Sequence, residues 1–98
     1  MNYRNHTHLF DGVTTLDDGH VHRYQGLMSI EPDFPGHTHS MADRTSFDRG
    51  HLHYLSNISG PDIDIGNGHY HEYRGVTTLN QGHVHRYSGN SSVYNGLL

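Results

Sequence analysis

The sequence predicts an all-β protein built from three tandem β-hairpin repeats, and three observations support this prediction. No segment shows a sustained 3.6-residue apolar period, so amphipathic helices are not indicated. Twelve of the 98 residues are glycine, a composition that weakens helices. All twelve histidines belong to His-x-His pairs, and these pairs recur at regular intervals along the chain.

The intervals between the pairs define three units. The first histidines of successive pairs are 14, 17, 14, 18 and 14 residues apart, and this alternation indicates an internal triplication. The segment Gly-Val-Thr-Thr-Leu occurs at 12–16 and again at 75–79. We therefore predict a single domain, 1–98, with repeats at 6–36, 37–68 and 69–98. The repeats would form a pseudo-three-fold small barrel or prism, or a solenoid-like unit.

Each unit contains the pattern of a β-hairpin. A β-favouring run leads into three residues that end in Gly, and a Gly-His-x-His strand follows. This pattern predicts a three-residue loop, a type I turn closed by a left-handed Gly. In the first unit, such a loop places Leu16 opposite His20, Thr14 opposite His22 and Gly12 opposite Tyr24. The three predicted loops are Asp17-Asp18-Gly19, Asp48-Arg49-Gly50 and Asn80-Gln81-Gly82.

The histidine face of each hairpin is predicted to point inward. Alternate residues of a strand share a face, and the residue two positions after each second histidine is large and apolar or aromatic. These residues are Phe10, Tyr24, Met41, Leu55, Tyr73 and Tyr87. The segments between hairpins, 26–36, 57–68 and 89–96, are rich in Gly, Pro, Asp, Asn and Ser and are predicted to be loops or short edge strands. The prolines of the first two segments cannot donate to a central ladder.

The His-x-His spacing predicts metal ligands. On a strand both rings of a pair point the same way, and imidazole is the commonest side-chain ligand of transition metals. All twelve histidines are candidate ligands: His6, His8, His20, His22, His37, His39, His51, His53, His69, His71, His83 and His85. They could group within a unit, for example His6 and His8 with His20 and His22. They could also group across units, for example His20 with His51 and His83.

The ligand type narrows the choice of metal. A nitrogen-only set suits Zn(II), our first choice, with Cu(II) or Ni(II) as alternatives, whereas Ca²⁺ and Mg²⁺ need clustered oxygen ligands. An alternative without any ion is a stack of structural histidines that hydrogen-bond to Thr14, Thr45 and Thr77.

Composition excludes several other functions. The chain has six Arg and Lys residues against ten Asp and Glu, a formal net charge of −4, so no nucleic-acid surface is expected. No apolar run is long enough for a secretory signal or a membrane span. We therefore predict a protein that does not associate with a membrane and is cytoplasmic by default. Cysteine is absent, which excludes disulfides and thiolate sites.

Three functions fit these features. The first is a transition-metal-binding protein that stores, buffers or is stabilised by its ions. The second is a self-assembling structural protein, a homo-oligomer or filament, in which Val93-Tyr94 and Leu97-Leu98 pair with neighbouring copies and metal-histidine centres stiffen the assembly. The third and weakest is a His-only metalloenzyme, because no acid, base or nucleophile stands apart from the repeats.

The repeated motif also resembles a known family. Gly-His-x-His-x-x-x-Gly-x-Thr is complete at 68–77, and parts of it occur at 19–26 and 36–39. This pattern resembles the YmaF family of small histidine-repeat proteins from Firmicutes, and residues 60–63, Gly-Pro-Asp-Ile, resemble the link between that family's repeats. The resemblance covers residues 6–89 and implies a bacterial, spore-former origin and a spore- or surface-associated protein. The middle unit has Asp43 where the motif has glycine, which predicts that the three units are not strictly equivalent.

Overall fold

The computed structural model describes residues 3–95, and this part of the chain consists of β-strands, turns and loops without a helix. The predicted all-β class is therefore confirmed. Within the same residues, no helix is long and apolar enough to cross a membrane. The strands are β1 (Asn5–His6), β2 (Leu9–Val13), β3 (Arg23–Leu27), β4 (Glu31–Pro32), β5 (Ser40–Arg44), β6 (Tyr54–Ile58), β7 (Asp62–Asp64), β8 (His69–Val76) and β9 (Arg86–Asn90).

Three antiparallel hairpins organise these strands. The first hairpin pairs β2 with β3, the second pairs β5 with β6, and the third pairs β8 with β9. Strand β7 adds an edge to β8, and β1 pairs with β4. Over residues 3–95 these small sheets do not close into a barrel, so the barrel alternative is wrong. The prism and solenoid alternatives and the division into three repeats of one domain remain predictions, and Leu97-Leu98 lies outside the described residues.

Backbone hydrogen bonds join each hairpin to both of the others near its turn. Thr15 N donates to Arg86 O at 2.8 Å, which links the first hairpin to the third. Ser46 N donates to Arg23 O at 2.7 Å and Thr78 N to Tyr54 O at 3.0 Å, which link the second to the first and the third to the second. The hairpins are therefore joined in a ring, and the molecule is elongated, with extents of 49 × 20 × 19 Å.

The turns differ from the prediction. Asp17 pairs with His20, so the loop has two residues, Asp18 and Gly19, with φ of 53° and 79°. Positive φ at both central residues is typical of a type I′ turn, whose twist matches that of the flanking strands. The second and third hairpins turn in the same way, at Arg49-Gly50 and Gln81-Gly82. The three-residue loop and the placement of Leu16 opposite His20 are therefore wrong.

A β-bulge restores the predicted register beyond each turn. Thr14 N donates to His22 O at 2.9 Å, so Thr14 faces His22 as expected. Between this pair and the turn, Thr15 and Leu16 together oppose the single residue Val21, which is the two-against-one pattern of a bulge. The bulge directs the backbone of Thr15 toward the third hairpin.

The apolar core lies midway along the hairpins. The six residues predicted to share the histidine face are all buried, and Met28, which the sequence placed in a loop, joins them. In the first hairpin the ring of Tyr24 lies against Gly12 of the opposite strand, where a Cβ would collide with it. In the second hairpin Leu55 stands opposite Asp43 and no ring needs this space. The predicted non-equivalence of the middle unit is therefore real, and a smaller core side chain accounts for it.

Candidate metal centres

The structure gathers the twelve histidines into two clusters at opposite ends of the hairpins. Eleven of them are buried, and only His83 is partly exposed. The first cluster contains His6, His8, His37, His39, His69 and His71. The second cluster contains His20, His22, His51, His53, His83 and His85. In each cluster one ligand atom per residue lies within 4.8 Å of all the others.

Grouping across units is therefore correct, and grouping within a unit is wrong. The first pair of each unit lies just before or at the start of the first strand of its hairpin, and the second pair follows the turn, so the length of the hairpin separates the two pairs. Each hairpin contributes one pair to each cluster. All twelve predicted residues therefore converge, six in each cluster.

Each cluster has an outer layer and an inner layer of three rings. In the first cluster the outer layer is His6, His37 and His69, whose Nε2 atoms are 3.0, 3.1 and 3.1 Å apart. The inner layer, His8, His39 and His71, follows next along the strands toward the core. The layers are equally close to each other, since His39 Nε2 is 3.2 Å from His6 Nε2 and His71 Nε2 is 3.1 Å from His37 Nε2.

The second cluster repeats these dimensions. His20 Nε2 lies 3.1 Å from His22 Nε2 and 3.2 Å from His51 Nε2, and His22 Nε2 is 3.3 Å from His51 Nε2. Here His20, His51 and His83 form the outer layer, next to the turns. In both clusters the Nε2 atoms, which come from three different hairpins, converge on a common centre.

The other ring nitrogen of every inner histidine binds a backbone carbonyl of a neighbouring hairpin. His22 Nδ1, for example, donates to Ser46 O at 3.0 Å. The six pairs are His8–Ser92, His22–Ser46, His39–Ser29, His53–Thr78, His71–Gly60 and His85–Thr15, at 2.7–3.0 Å. A carbonyl oxygen only accepts, so Nδ1 carries the proton and a neutral ring has a bare lone pair on Nε2. Such bonds orient ligand histidines in metal sites.

Most of the outer histidines are held by nearby carbonyls of their own hairpin or loop. His20 Nδ1 donates to Asp18 O at 3.1 Å, and His51 and His83 make the equivalent bonds to Arg49 O and Gln81 O at 3.2 Å. His37 Nδ1 donates to Phe34 O at 2.7 Å. These rings also direct a proton-free Nε2 toward the centre.

The electrostatics of both clusters favour a shared cation. Lone pairs 3.0–3.3 Å apart repel unless a positive charge lies between them, and among residues 3–95 the buried Nε2 atoms of His8, His53, His83 and His85 have no hydrogen-bond partner. Burial, with a smaller contribution from neighbouring imidazoles, lowers the pKa of His8 to about 3 and that of His71 to about 4. Protons are thus poorly bound here, and the donor set fits a transition-metal ion.

We did not predict from the sequence the residues that link the hairpins, whose carbonyls bind the inner imidazoles. Thr15 supplies the carbonyl for His85 and a hydroxyl that accepts from Arg86 N at 2.9 Å. The equivalent residues are Ser46, Thr78, Ser29 and Ser92, with Gly60 in the sixth position. In the sequence, the paired hydroxyl residues at 14–15, 45–46 and 77–78 could have indicated these links between hairpins.

The first hydroxyl residue of each pair does not hydrogen-bond to an imidazole ring, which was the role that the sequence suggested for it. Thr14, Thr45 and Thr77 accept hydrogen bonds from the backbone amides of His22, His53 and His85 at 2.9–3.0 Å. They support the strand backbone, and the imidazoles bind carbonyls instead.

Comparison with known proteins places the chain in a family. No curated protein and no solved structure matches it. The model of the YmaF family, described as spore germination protein GerY/YamF, matches residues 28–93. This match spans the whole of the second and third hairpins with all four of their histidine pairs, and it confirms the family that the motif resembles. The chain belongs to the YmaF family.

Proposed function

We propose that this protein binds transition-metal ions, one in each histidine cluster and two per chain. The observation that supports this most directly is the convergence of buried, proton-free Nε2 atoms in both clusters. Ten of the twelve rings are oriented by a bond from Nδ1 to a carbonyl, as expected of pre-organised ligands.

The ions would serve a structural or storage role. Within residues 3–95 the buried apolar core holds seven side chains, and a domain of this size gains little stability from so small a core. An ion that binds the folded state alone stabilises it by mass action. Zn(II), Cu(II) and Ni(II) all bind imidazole.

Metal content tests the proposal. Untagged protein, stripped with a chelator and reloaded at pH 7.5, should bind two ions per chain by inductively coupled plasma mass spectrometry. The double variant His22→Ala/His53→Ala should bind one, and so should the matched first-cluster variant His8→Ala/His39→Ala. Protein that reloads with no metal, or variants that keep two ions, would overturn the proposal.

The family description supports a role in the spore. It names spore germination, and we propose that the metal centres operate in a spore protein. Spores that carry the His22→Ala/His53→Ala chain should germinate differently from spores with the unchanged chain. Equal germination at equal protein levels would separate the metal centres from that process.

Self-assembly is a second candidate, which one surface feature favours. Leu16, Phe47 and Leu79 are equivalent residues beside the three turns, and they are 72%, 69% and 71% exposed. Three large apolar side chains at one end form a contact surface for another copy. Size-exclusion chromatography should show an oligomer that the triple change of these residues to Ser converts to monomer, and a monomer before the change would exclude assembly.

A further inference from the structure

We infer that each cluster coordinates its ion octahedrally through all six imidazoles, which leaves no position for water or substrate. This inference rests on the proposed function, because it describes how the clusters bind an ion once they do so. It goes further by assigning the coordination number, the class of metal and the absence of an open site.

The contacts between rings have the pattern of an octahedron. Each vertex of an octahedron neighbours every other vertex except the opposite one. In the first cluster the described rings follow this rule, with centroids 4.6–5.2 Å apart and planes at 67–89°. The pairs without a ring contact are the three opposite pairs, His6/His71, His8/His37 and His39/His69.

The second cluster shows the same pattern independently. Its ring centroids are 4.8–5.0 Å apart. The opposite pairs are His20/His53, His22/His83 and His51/His85. Each opposite pair joins an outer ring to an inner ring of another hairpin, so the two layers are staggered, as in the two faces of an octahedron.

The distances between nitrogens agree with six-fold coordination. The edge of an octahedron is √2 times its centre-to-vertex distance, so edges of 3.0–3.3 Å correspond to metal–nitrogen bonds of about 2.1–2.3 Å. A tetrahedral zinc site with bonds of about 2.0–2.1 Å would have edges of about 3.3–3.4 Å. The edges of 3.0 and 3.1 Å in the first cluster are shorter than this.

Burial supports the use of all six rings. If four rings bound an ion, two more would keep a buried Nε2 with neither a metal bond nor a hydrogen-bond donor, and a buried polar atom without a partner destabilises the folded state. All six rings of each cluster have a ligand atom close to those of the other five, and Nδ1 bonds to carbonyls hold ten of the twelve rings in this orientation.

The geometry selects among metals. Structural zinc is almost always tetrahedral and Cu(II) prefers tetragonal sites, so octahedral nitrogen favours Ni(II), Co(II) or Fe(II). The first choice of Zn(II) from the sequence is therefore replaced. A catalytic metal needs an open position for water or substrate, and a centre filled by six imidazoles has none. A metalloenzyme is thus the function that this geometry fits least.

Cobalt serves as the probe, because its colour reports coordination number. Protein loaded with Co(II) should be pale pink with weak absorption bands, and X-ray absorption should show six nitrogen neighbours in one shell. The variant His22→Ala/His53→Ala should give the same spectrum at half the intensity from its intact first cluster. If that variant does not fold, the spectra of the unchanged protein decide the question.

The outcomes separate this inference from the proposed function. Cobalt bound with the intense blue bands of a tetrahedral site, or with four nitrogen neighbours, would overturn the octahedral assignment and leave metal binding intact. Protein that takes up no cobalt, nickel, iron, copper or zinc would overturn both. Equimolar Zn(II) should displace less than half of bound Ni(II), and complete displacement would also contradict the assignment.

Discussion

Among single residues, the Nδ1 bonds to carbonyls have the widest consequences. They fix the tautomer of the ring, its rotation and the direction of Nε2 together. His22 illustrates this, since its Nδ1 proton is committed to Ser46 O and its Nε2 faces the centre. The His-x-His spacing was sufficient to predict that all twelve histidines lie on the inner face of the hairpins. It could not predict their carbonyl partners, which belong to other hairpins and leave no local pattern.

The metal-free protein should lose stability as the pH falls below about 6.5. His8 and His71 have folded-state pKa values of about 3 and about 4, whereas the unfolded chain takes up protons near 6.5. Below 6.5 the unfolded state therefore binds more protons, and each of these residues lowers the free energy of unfolding by about 1.4 kcal/mol per pH unit. Urea unfolding at pH 7.5, 6 and 5 measures this, and equal midpoints would contradict it.

Gly60 offers a stabilising substitution. Ser29 and Ser92 occupy the equivalent position and accept a backbone N–H through their hydroxyls, at 2.9 and 2.8 Å. A Cβ at Gly60 would make an ordinary contact of 3.5 Å with Glu72 O. Gly60→Ser should raise the free energy of unfolding by about 0.5–1.5 kcal/mol through the lost glycine entropy and the new hydrogen bond.

The matched control for this substitution reverses it. Ser29→Gly should destabilise the metal-free protein by a similar amount, because it removes the hydroxyl that Ser40 N uses. Denaturant midpoints of both variants test the pair. A destabilised Gly60→Ser variant would show that the sixth link has a different geometry.

At the scale of the hairpin, the sequence predicted the existence and position of each turn but not its type. Asp17-Asp18-Gly19 suits a three-residue loop as well as a two-residue loop with a bulge, because both place glycine at positive φ. The choice depends on Thr15, whose bonds to Arg86 require the bulge. Such a contact between the first and third hairpins is invisible to local pattern.

Gln81 has a strained backbone conformation in the third turn, and a substitution can relieve this strain. Its φ is 55°, a left-handed conformation that asparagine and glycine adopt at lower cost. Gln81→Asn should therefore raise the free energy of unfolding by about 0.5–1 kcal/mol without altering metal content. Thermal unfolding of the loaded and stripped forms provides the measurement.

The adjacent glycine is the control for that turn. Gly82, with φ of 79°, should not tolerate a Cβ, so Gly82→Ala should lower the unfolding midpoint. If Gln81→Asn destabilised the protein and Gly82→Ala did not, the type I′ assignment would be wrong.

At the scale of the whole molecule, the two histidine clusters differ in how well other residues shield them from solvent. Tyr94 stacks on His6, with ring centroids 4.5 Å apart and planes at 28°, and its backbone exchanges two hydrogen bonds with His69. At the other end His83 is partly exposed. Repeat spacing alone could not reveal this difference, because Tyr94 lies beyond the last histidine pair.

A strong chelator should therefore remove the two ions at different rates. The second cluster should empty first, because its outer layer is less covered, and Tyr94→Ala should accelerate the slow phase while leaving the fast phase unchanged. Stopped-flow chelation of the nickel-loaded protein measures both phases. A single phase in the unchanged protein, or an accelerated fast phase in the variant, would contradict the unequal cover.

Because hydrogen bonds link the three hairpins in a ring, three separate chains could form the same arrangement as one chain of three units. Every hairpin presents the same pair of histidines to each centre and the same links to the next hairpin, so covalent continuity from one unit to the next is not required for either centre. A peptide of residues 69–95 should consequently assemble with metal as a cyclic homotrimer, and sedimentation would detect it. A triplicated gene would then preserve in one polypeptide the symmetry of an ancestral three-chain complex.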